Sequence, residues 1–369
     1  MSSWWLAEPF AAIPHVPVSS PEVEIVGGGV TGVSAALALA RAGVPVRLHE
    51  AREVASGASG RNGGFLLRGG AMGYQEARTW LGPDDARRYW RLTERALDEL
   101  AELVGDAVDR CGSLRIANDE EERAELEEEY AALREDGFAV EWRDDVDGFH
   151  GAIFHPGDAS CQPARMVRRL ALLAAGAGAE IREGSRVASV AELEAERVLV
   201  CSDGYPSGLL GRLEGLIVPT RGQMLVTEPL AERLFTCPQY GRHGFDYWQQ
   251  LPDGRLSLGG FRDFDFSSEF TDSEETTGTI QEALERFAAR LAGRPLAVEQ
   301  RWAGVFGFVP DLLPVLGPHP DDARVTVAAG YSGHGNVLGF LCGTLAAVGG
   351  DPEDGPLLDR FTPARLLLD

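Results

Sequence analysis

Lysine is absent from this chain: all 34 of its basic residues are arginine. Chemistry that needs an ε-amine is thereby excluded, namely a Schiff base to a carbonyl substrate or to pyridoxal phosphate, and a lysine-bearing phosphate loop. The bias itself reads as codon usage rather than as a functional signal. Positive charge is scarce as well. Against 57 acidic residues the net charge is −23, which repels duplex nucleic acid and anionic membranes unless a local basic patch exists. Neither nucleic acid nor membrane insertion is therefore expected.

Cysteine is sparse too. Cys111, Cys161, Cys201, Cys237 and Cys342 are odd in number, widely spaced and free of any C-x-x-C pair. A disulfide framework and a structural zinc site are disfavoured, no metal is expected, and a reducing cytoplasm is the expected location. No apolar run is long enough to span a bilayer. The start of the chain lacks a basic region and contains Pro9, Pro14 and Pro17, so it does not read as a signal peptide. This arm, residues 1–21, carries Trp4, Trp5, Leu6 and Phe10 and is expected to dock on its own domain, with membrane contact as the alternative. The remaining composition, 44% hydrophobic and 25% charged, is that of a globular protein, and 369 residues exceed what one core usually serves.

Glycine, in contrast, is abundant and placed. Glu22 to Val26 is a short apolar strand pattern that runs into Gly27-x-Gly29-x-x-Gly32. A helical pattern over Val30 to Ala42 follows, with Val33, Leu37 and Ala40 on one face, and Gly43 ends it. Val44 to Leu48 is the next strand, closed by Glu50. The first glycine permits a tight turn, the second admits a pyrophosphate, and the third lets helix and strand pack closely. The helix N-terminus directs unpaired N–H groups and its positive dipole end at phosphate, and an acid at position 50 suits ribose hydroxyls. In this context the motif predicts an adenine dinucleotide, and Glu50 disfavours a 2′-phosphate.

Two further Gly-rich turns, residues 57–64 and 330–336, exceed what a nicotinamide cofactor needs and suit a longer one. The second opens an apolar helix, Asn336 to Val348, whose positive end suits the anionic charge of a reduced flavin. Helices are also predicted over Asp84–Val104, Asp119–Glu135, Gln162–Ala175 and Thr276–Leu291. Strands are predicted over 180–182, Arg186–Val190, Arg197–Cys201, Ile217–Thr227, Gly254–Gly260 and Val325–Ala329. The glutamate-rich helix 119–135 reads as a solvated face.

Nucleotide signals fall at both ends and in the middle of the chain, so two interleaved parts are expected. Residues 22–80, 150–218 and 325–369 form an α/β Rossmann-like nucleotide-binding domain. Residues 81–149 and 219–324 form an α+β substrate domain on a mostly antiparallel sheet with helices.

The whole pattern resembles the D-amino-acid oxidase superfamily of FAD enzymes. The stretch Ala58-Ser59-Gly60-Arg61-Asn62-Gly63-Gly64 is similar to its gamma-glutamylputrescine oxidase and glycine/sarcosine oxidase-like branch. So are Pro219-Thr220-Arg221-Gly222-Gln223, Tyr247-Trp248 with Leu251-Pro252-Asp253-Gly254-Arg255, and Gly333-His334-Gly335. The resemblance implies FAD held by Gly27, Gly29, Thr31, Gly32, Glu50, Ala51, Arg52, Ala58, Ser59, Arg61, Asn62, Gly63, Gly64 and Val187. It adds the turn Gly330, Gly333, His334, Gly335 and Asn336. Ser202 is a further candidate for contact with the cofactor, although relatives often carry smaller residues near it. No cysteine lies in the stretch from Trp302 to Gly317, where some relatives bond the flavin, so the FAD is expected to be non-covalent.

Relatives that act on α-amino acids commonly carry an arginine where this chain has Phe306. A carboxylate needs a bidentate cation, so an amine with an apolar reacting end, or a secondary amine, is the expected substrate. Phe65, Tyr247, Trp248, Trp302 and Phe306 are candidates for an aromatic wall, although each also suits a core. His334, Tyr247 and Phe306 are the candidates for contact with the reacting atoms. Arg221 and Gln223 read as ties between sheets, and Arg242 and His243 as a solvated loop. The expected reaction takes hydride from the carbon of a C–N bond to flavin N5 and ends in hydrolysis of the imine, with oxygen or another acceptor reoxidising the cofactor. Related sarcosine oxidases place a lysine over the flavin; here that position is Ser257, so slow reaction with oxygen is expected. Alternatives are an amino-acid oxidase or dehydrogenase, an NAD-dependent dehydrogenase, and a flavoprotein subunit of RNA modification. The oligomeric state is left open.

Overall fold

A computed structural model of the chain describes residues 2–206 and 208–367. The predicted β-α-β unit forms as Val23–Val26, Val30–Arg41 and Val46–His49, with the two strands parallel. The strand Val23–Val26 is buried throughout, as a central parallel strand must be when helices cover both faces. It sits inside a six-stranded sheet ordered Val315–His319, Asp322–Ala329, Arg197–Val200, Val23–Val26, Val46–His49, Glu180–Arg182. Only the pair Val315–His319 and Asp322–Ala329 is antiparallel in it.

A second sheet of eight strands runs Val298–Phe308, Val218–Pro229, Arg255–Gly260, Asp246–Gln250, Gln239–Gly241, Ser113–Ile116, Ala152–His155, Glu141–Arg143. It is antiparallel apart from the contact of Gln239–Gly241 with Ser113–Ile116. Helix Gly278–Ala292 covers one face through Ile280, Leu284 and Phe287, which pack with Trp248 and Leu258 in a core of their own. A three-stranded sheet, Phe65–Leu66, Ala159–Cys161 and Val108–Asp109, joins the two halves.

Four expectations need correction. Arg186–Val190 is not a strand: after the turn at Gly184 the chain leaves the sheet edge, and a 3-10 turn capped by Ser189 follows at Val190–Glu192. Ala152–His155 lies within the segment 150–218 assigned to nucleotide binding, yet it pairs with Ser113–Ile116 and Glu141–Arg143 in the other sheet. Arg221 and Gln223 tie their strand to residues 268–277 rather than to the other sheet. The acidic helix Glu120–Glu135 is not simply solvated, because Glu122 and Glu129 are buried.

The arm docks on the chain itself. Ser3 Oγ donates to the carbonyl of Gly60 (2.6 Å), and the buried Trp5 donates from Nε1 to the carbonyl of Asn62 (2.8 Å). Both bonds brace the Gly-rich loop 57–64 from behind. Among the described residues no helix is long and apolar enough to cross a membrane.

Candidate active site

One cavity of about 1140 Å³ runs from the turn at Gly27 to Tyr247 and His334. That exceeds the roughly 300–1,000 Å³ of ordinary small-molecule sites and suits a long cofactor together with a substrate. At one end, Gly27 takes φ +110° and Gly29 begins the helix Val30–Arg41. A Cβ on Gly32 would lie 1.9 Å from the carbonyl oxygen of Gly27, so helix and turn touch there with no room for a side chain. Gly32 therefore supports the turn without lining the cavity. Glu50 accepts from the N–H of Gly28 (2.7 Å) and of Arg52 (2.8 Å), which holds its carboxylate over the turn. Ala51, Arg52, Val187 and Ser202 line the same end, and Ser202 Oγ is buried without a partner among the described residues.

The middle is made by Ala58, Ser59, Arg61, Asn62 and Gly63. Ser59 Oγ accepts from the N–H of Val30 (3.0 Å), so this loop is fastened to the phosphate turn. The guanidinium of Arg61 is turned away from the channel and bonds the carbonyls of Ser56 (2.7 Å) and Ala303 (3.0 Å) and the carboxylate of Glu274 (3.1 Å). Gly64 (φ +76°) and Gly330 (φ +72°) shape their turns but do not line the cavity. Asn62 and Asn336 exchange side-chain hydrogen bonds (3.0 and 3.1 Å) and so join the two Gly-rich turns. Thr31, Gly333, His334, Gly335 and Asn336 all line the cavity, and Thr31 Oγ1 donates to Tyr331 Oη (3.0 Å).

At the far end Phe65, Tyr247 and Phe306 form an aromatic wall, with Phe65 and Tyr247 edge to face at 6.0 Å. The other two candidates do not belong to it. Trp248 follows Tyr247 on a strand, so its side chain points to the opposite face, into the core with Phe149, Phe235 and Phe287. Trp302 shares a face with Phe306 but is covered by the loop 57–64; its Nε1 donates to the carbonyl of Arg61 (2.8 Å). Ser257 is likewise buried and does not line the cavity.

His334 stands in the wall with an orphaned Nδ1 among the described residues. Burial lowers its pKa to about 4, and the charges of Arg115 and Arg262 push the same way. Burial pushes Tyr247 up to about 12. His334 is therefore a neutral imidazole, and Tyr247 a neutral phenol, across the ordinary pH range. Among the described residues no cluster of His, Cys, Asp or Glu is arranged to hold a metal ion.

Among the cavity residues that sequence reasoning passed over are Arg115, Tyr240, Arg262 and the carboxylate of Asp203. Arg115 and Tyr240 line the cavity beyond His334, with Arg115 neutralised by Glu129 at 2.5 and 2.6 Å. Arg262 lines it from the corner after strand Arg255–Gly260. Asp203 accepts from the N–H groups of Gly307 (3.0 Å) and Gly330 (2.8 Å) and so pins the late Gly-rich turn to the wall. One signal was present: Glu122, Leu126, Glu129 and Leu133 fall on a single helical face.

His155 behaves like His334 in a second place, beside Arg68, and burial lowers it to about 3. In the unfolded chain both histidines take up protons near the ordinary value of 6.5. The unfolded state then binds more protons, so stability is full above that pH and is lost as the pH falls towards these folded values. Urea unfolding curves recorded from neutral to acid pH are expected to show this loss, and His155→Gln to flatten it. An unchanged slope in the variant would show that other groups set the acid limit.

An isoalloxazine-bearing dinucleotide fits this architecture. The turn at 27–32, the carboxylate of Glu50, two Gly-rich loops and two orphaned polar atoms line one continuous channel. Comparison with known proteins agrees. The chain is 26% identical to the gamma-glutamylputrescine oxidoreductase of Escherichia coli (strain K12), over 90% of this chain and 84% of that one. It is 28% identical to the glycine oxidase of Geobacillus kaustophilus (strain HTA426), over 88% of this chain and 92% of that one. The crystal structure of glycine oxidase from Geobacillus kaustophilus superposes with a TM-score of 0.75 at 24% identity, covering 93% of this chain and 98% of that chain, which supports the fold. The family described as FAD dependent oxidoreductase, DAO, matches residues 22–348, and this chain is a member of that family, with FAD as its cofactor.

Proposed function

We propose that the chain oxidises the C–N bond of an amine to an imine, which water then hydrolyses to a carbonyl compound and a free amine or ammonia. The observation that carries this reading is the convergence of Phe65, Tyr247, Phe306 and His334 at the end of the dinucleotide channel. FAD, when bound, supplies the acceptor for the hydride that leaves the carbon. The chain's own residues bind and prepare the amine. The face of Tyr247 attracts a cationic nitrogen on entry, and the apolar surroundings it shares with Phe65 and Phe306 then favour its neutral form, whose lone pair the oxidation needs. His334, uncharged, is able to exchange a hydrogen bond with that nitrogen without repelling it. No strong base is required, and orientation of the C–H bond is the main contribution of the wall.

Anaerobic mixing of the yellow protein with polyamines, N-methyl amines and amino acids is expected to bleach the flavin with at least one of them. A flavin that stays oxidised with every class would overturn the reading. Oxygen uptake with the best amine separates an oxidase from a dehydrogenase. With no lysine in the chain and Ser257 buried off the cavity, slow uptake is the expected result.

A further inference from the structure

We infer that Arg262 is the anchor for a carboxylate on the substrate, so that the amine oxidised here carries an acid group. This rests on the amine-oxidation reading and narrows it.

Five arginines line the cavity; Arg186 is exposed at its rim, and Arg262 differs from the three inner ones. Arg52 and Arg61 both hold Glu274, and Arg115 holds Glu129. Among the described residues no hydrogen bond or ion pair reaches the guanidinium of Arg262. Its guanidinium lies instead between two aromatic rings, 4.4 Å from the centroid of Phe245 and 5.8 Å from that of Phe306. Rings cover the faces of a guanidinium and leave its in-plane N–H donors to be satisfied. Arg262 is half-buried and lines the cavity, so these donors are open to a ligand that enters it. The in-plane fork matches a carboxylate, and a phenol adds a further donor: the hydroxyl of Tyr247 is also unbonded among the described residues and senses the charge of Arg262.

The backbone supports the same conclusion. Gly260 (φ +120°) and Phe261 (φ +59°) occupy successive left-handed positions, the second of them without being glycine. That corner turns the chain back over the cavity and delivers Arg262 beside Phe306. Strain of this sort, on the order of 1–3 kcal/mol for a non-glycine residue, persists where the surroundings enforce it and is concentrated at ligand sites. The absence of an arginine at position 306 thus does not leave the cavity without a cation. Phe306 is instead a platform for one that arrives from the corner after strand Arg255–Gly260.

The test compares amines matched in size, with and without a carboxylate: glycine against methylamine, and 4-aminobutyrate against butylamine. For the wild-type holoenzyme the acid of each pair is expected to reduce the flavin with the higher kcat/KM. In Arg262→Met this advantage is expected to fall about 100-fold, mostly in KM, with Arg262→Lys in between. Binding is read separately by titrating acetate or propionate, which have no amine to oxidise, and following the shift in the flavin spectrum. The shift is expected in wild type and about 100-fold weaker in Arg262→Met. A wild type that shows no carboxylate-induced shift and no preference for the acid overturns the inference, whatever the variants do. Flavin bleached equally by both members of each pair leaves amine oxidation standing and removes Arg262. Carboxylate binding that depends on Arg262, with no amine able to bleach the flavin, does the reverse.

Discussion

Gly32→Val is expected to give a protein that is poorly stable and colourless. A Cβ at this position would stand 1.9 Å from the carbonyl oxygen of Gly27 and 3.3 Å from Cγ2 of Ile25. The first neighbour is backbone and is itself fixed, since Gly27 donates its N–H to the carbonyl of His49 (2.8 Å) and takes φ +110°. Helix Val30–Arg41 would have to lift off the strand, and the N–H groups aimed at the pyrophosphate would move with it. Overpacking against backbone is expected to lower stability by about 3 kcal/mol or more. The loss of FAD affinity is expected to exceed about 100-fold. Gly43→Ala is the control. It caps the same helix at φ +78° with nothing within 4 Å of the added Cβ, so only the left-handed strain of about 1 kcal/mol applies. The ratio of flavin to protein absorbance after gel filtration separates the two variants. A yellow Gly32→Val with an unchanged urea midpoint would show that the turn tolerates a displaced helix.

The contrast between positions 32 and 262 explains how far the sequence could be read. Gly27, Gly29, Gly32 and Glu50 act within one β-α-β unit, so their spacing carries their meaning. The Gly-rich turns at 57–64 and 330–336 are legible for the same reason, although their mutual bond through Asn62 and Asn336 is not. Tyr247 and Trp248 are neighbours with equal claims to the wall, and only strand direction sends one to the cavity and the other to the core. Whether an arginine is neutralised is the least local property of all. Arg115 and Arg262 look alike in sequence, and the difference is that Glu129 reaches one while, among the described residues, no carboxylate bonds to the other. In a chain with 57 acidic and 34 basic residues, that difference appears only after folding.

The second large effect is expected at Glu269. This carboxylate is 1% exposed and takes two bonds from Arg221, at 2.7 and 3.0 Å, and one from Gln223 at 2.9 Å. Arg221 also donates to the carbonyls of Ser268 (3.1 Å) and Glu275 (2.9 Å). The pair thus staples the 3-10 segment Arg262–Glu269 and the loop after it to strand Val218–Pro229. Glu269→Ala leaves a buried guanidinium uncompensated and is expected to lower the unfolding free energy by about 3–5 kcal/mol. The double variant Arg221→Met/Glu269→Leu removes both charges together, and replacing a buried pair by apolar groups of similar volume is often neutral. Its stability is therefore expected to recover most of the loss, a coupling that a double-mutant cycle in urea measures directly. Glu269 closes the segment that Arg262 opens. If the pair fixes that segment, Glu269→Ala weakens acetate binding as well as stability, while the flavin remains bound through the distant turn at 27–32. Equal urea midpoints for Glu269→Ala and wild type would mean that water or a shifted side chain compensates Arg221, and that the segment is positioned by Phe261, packed against Phe287, alone.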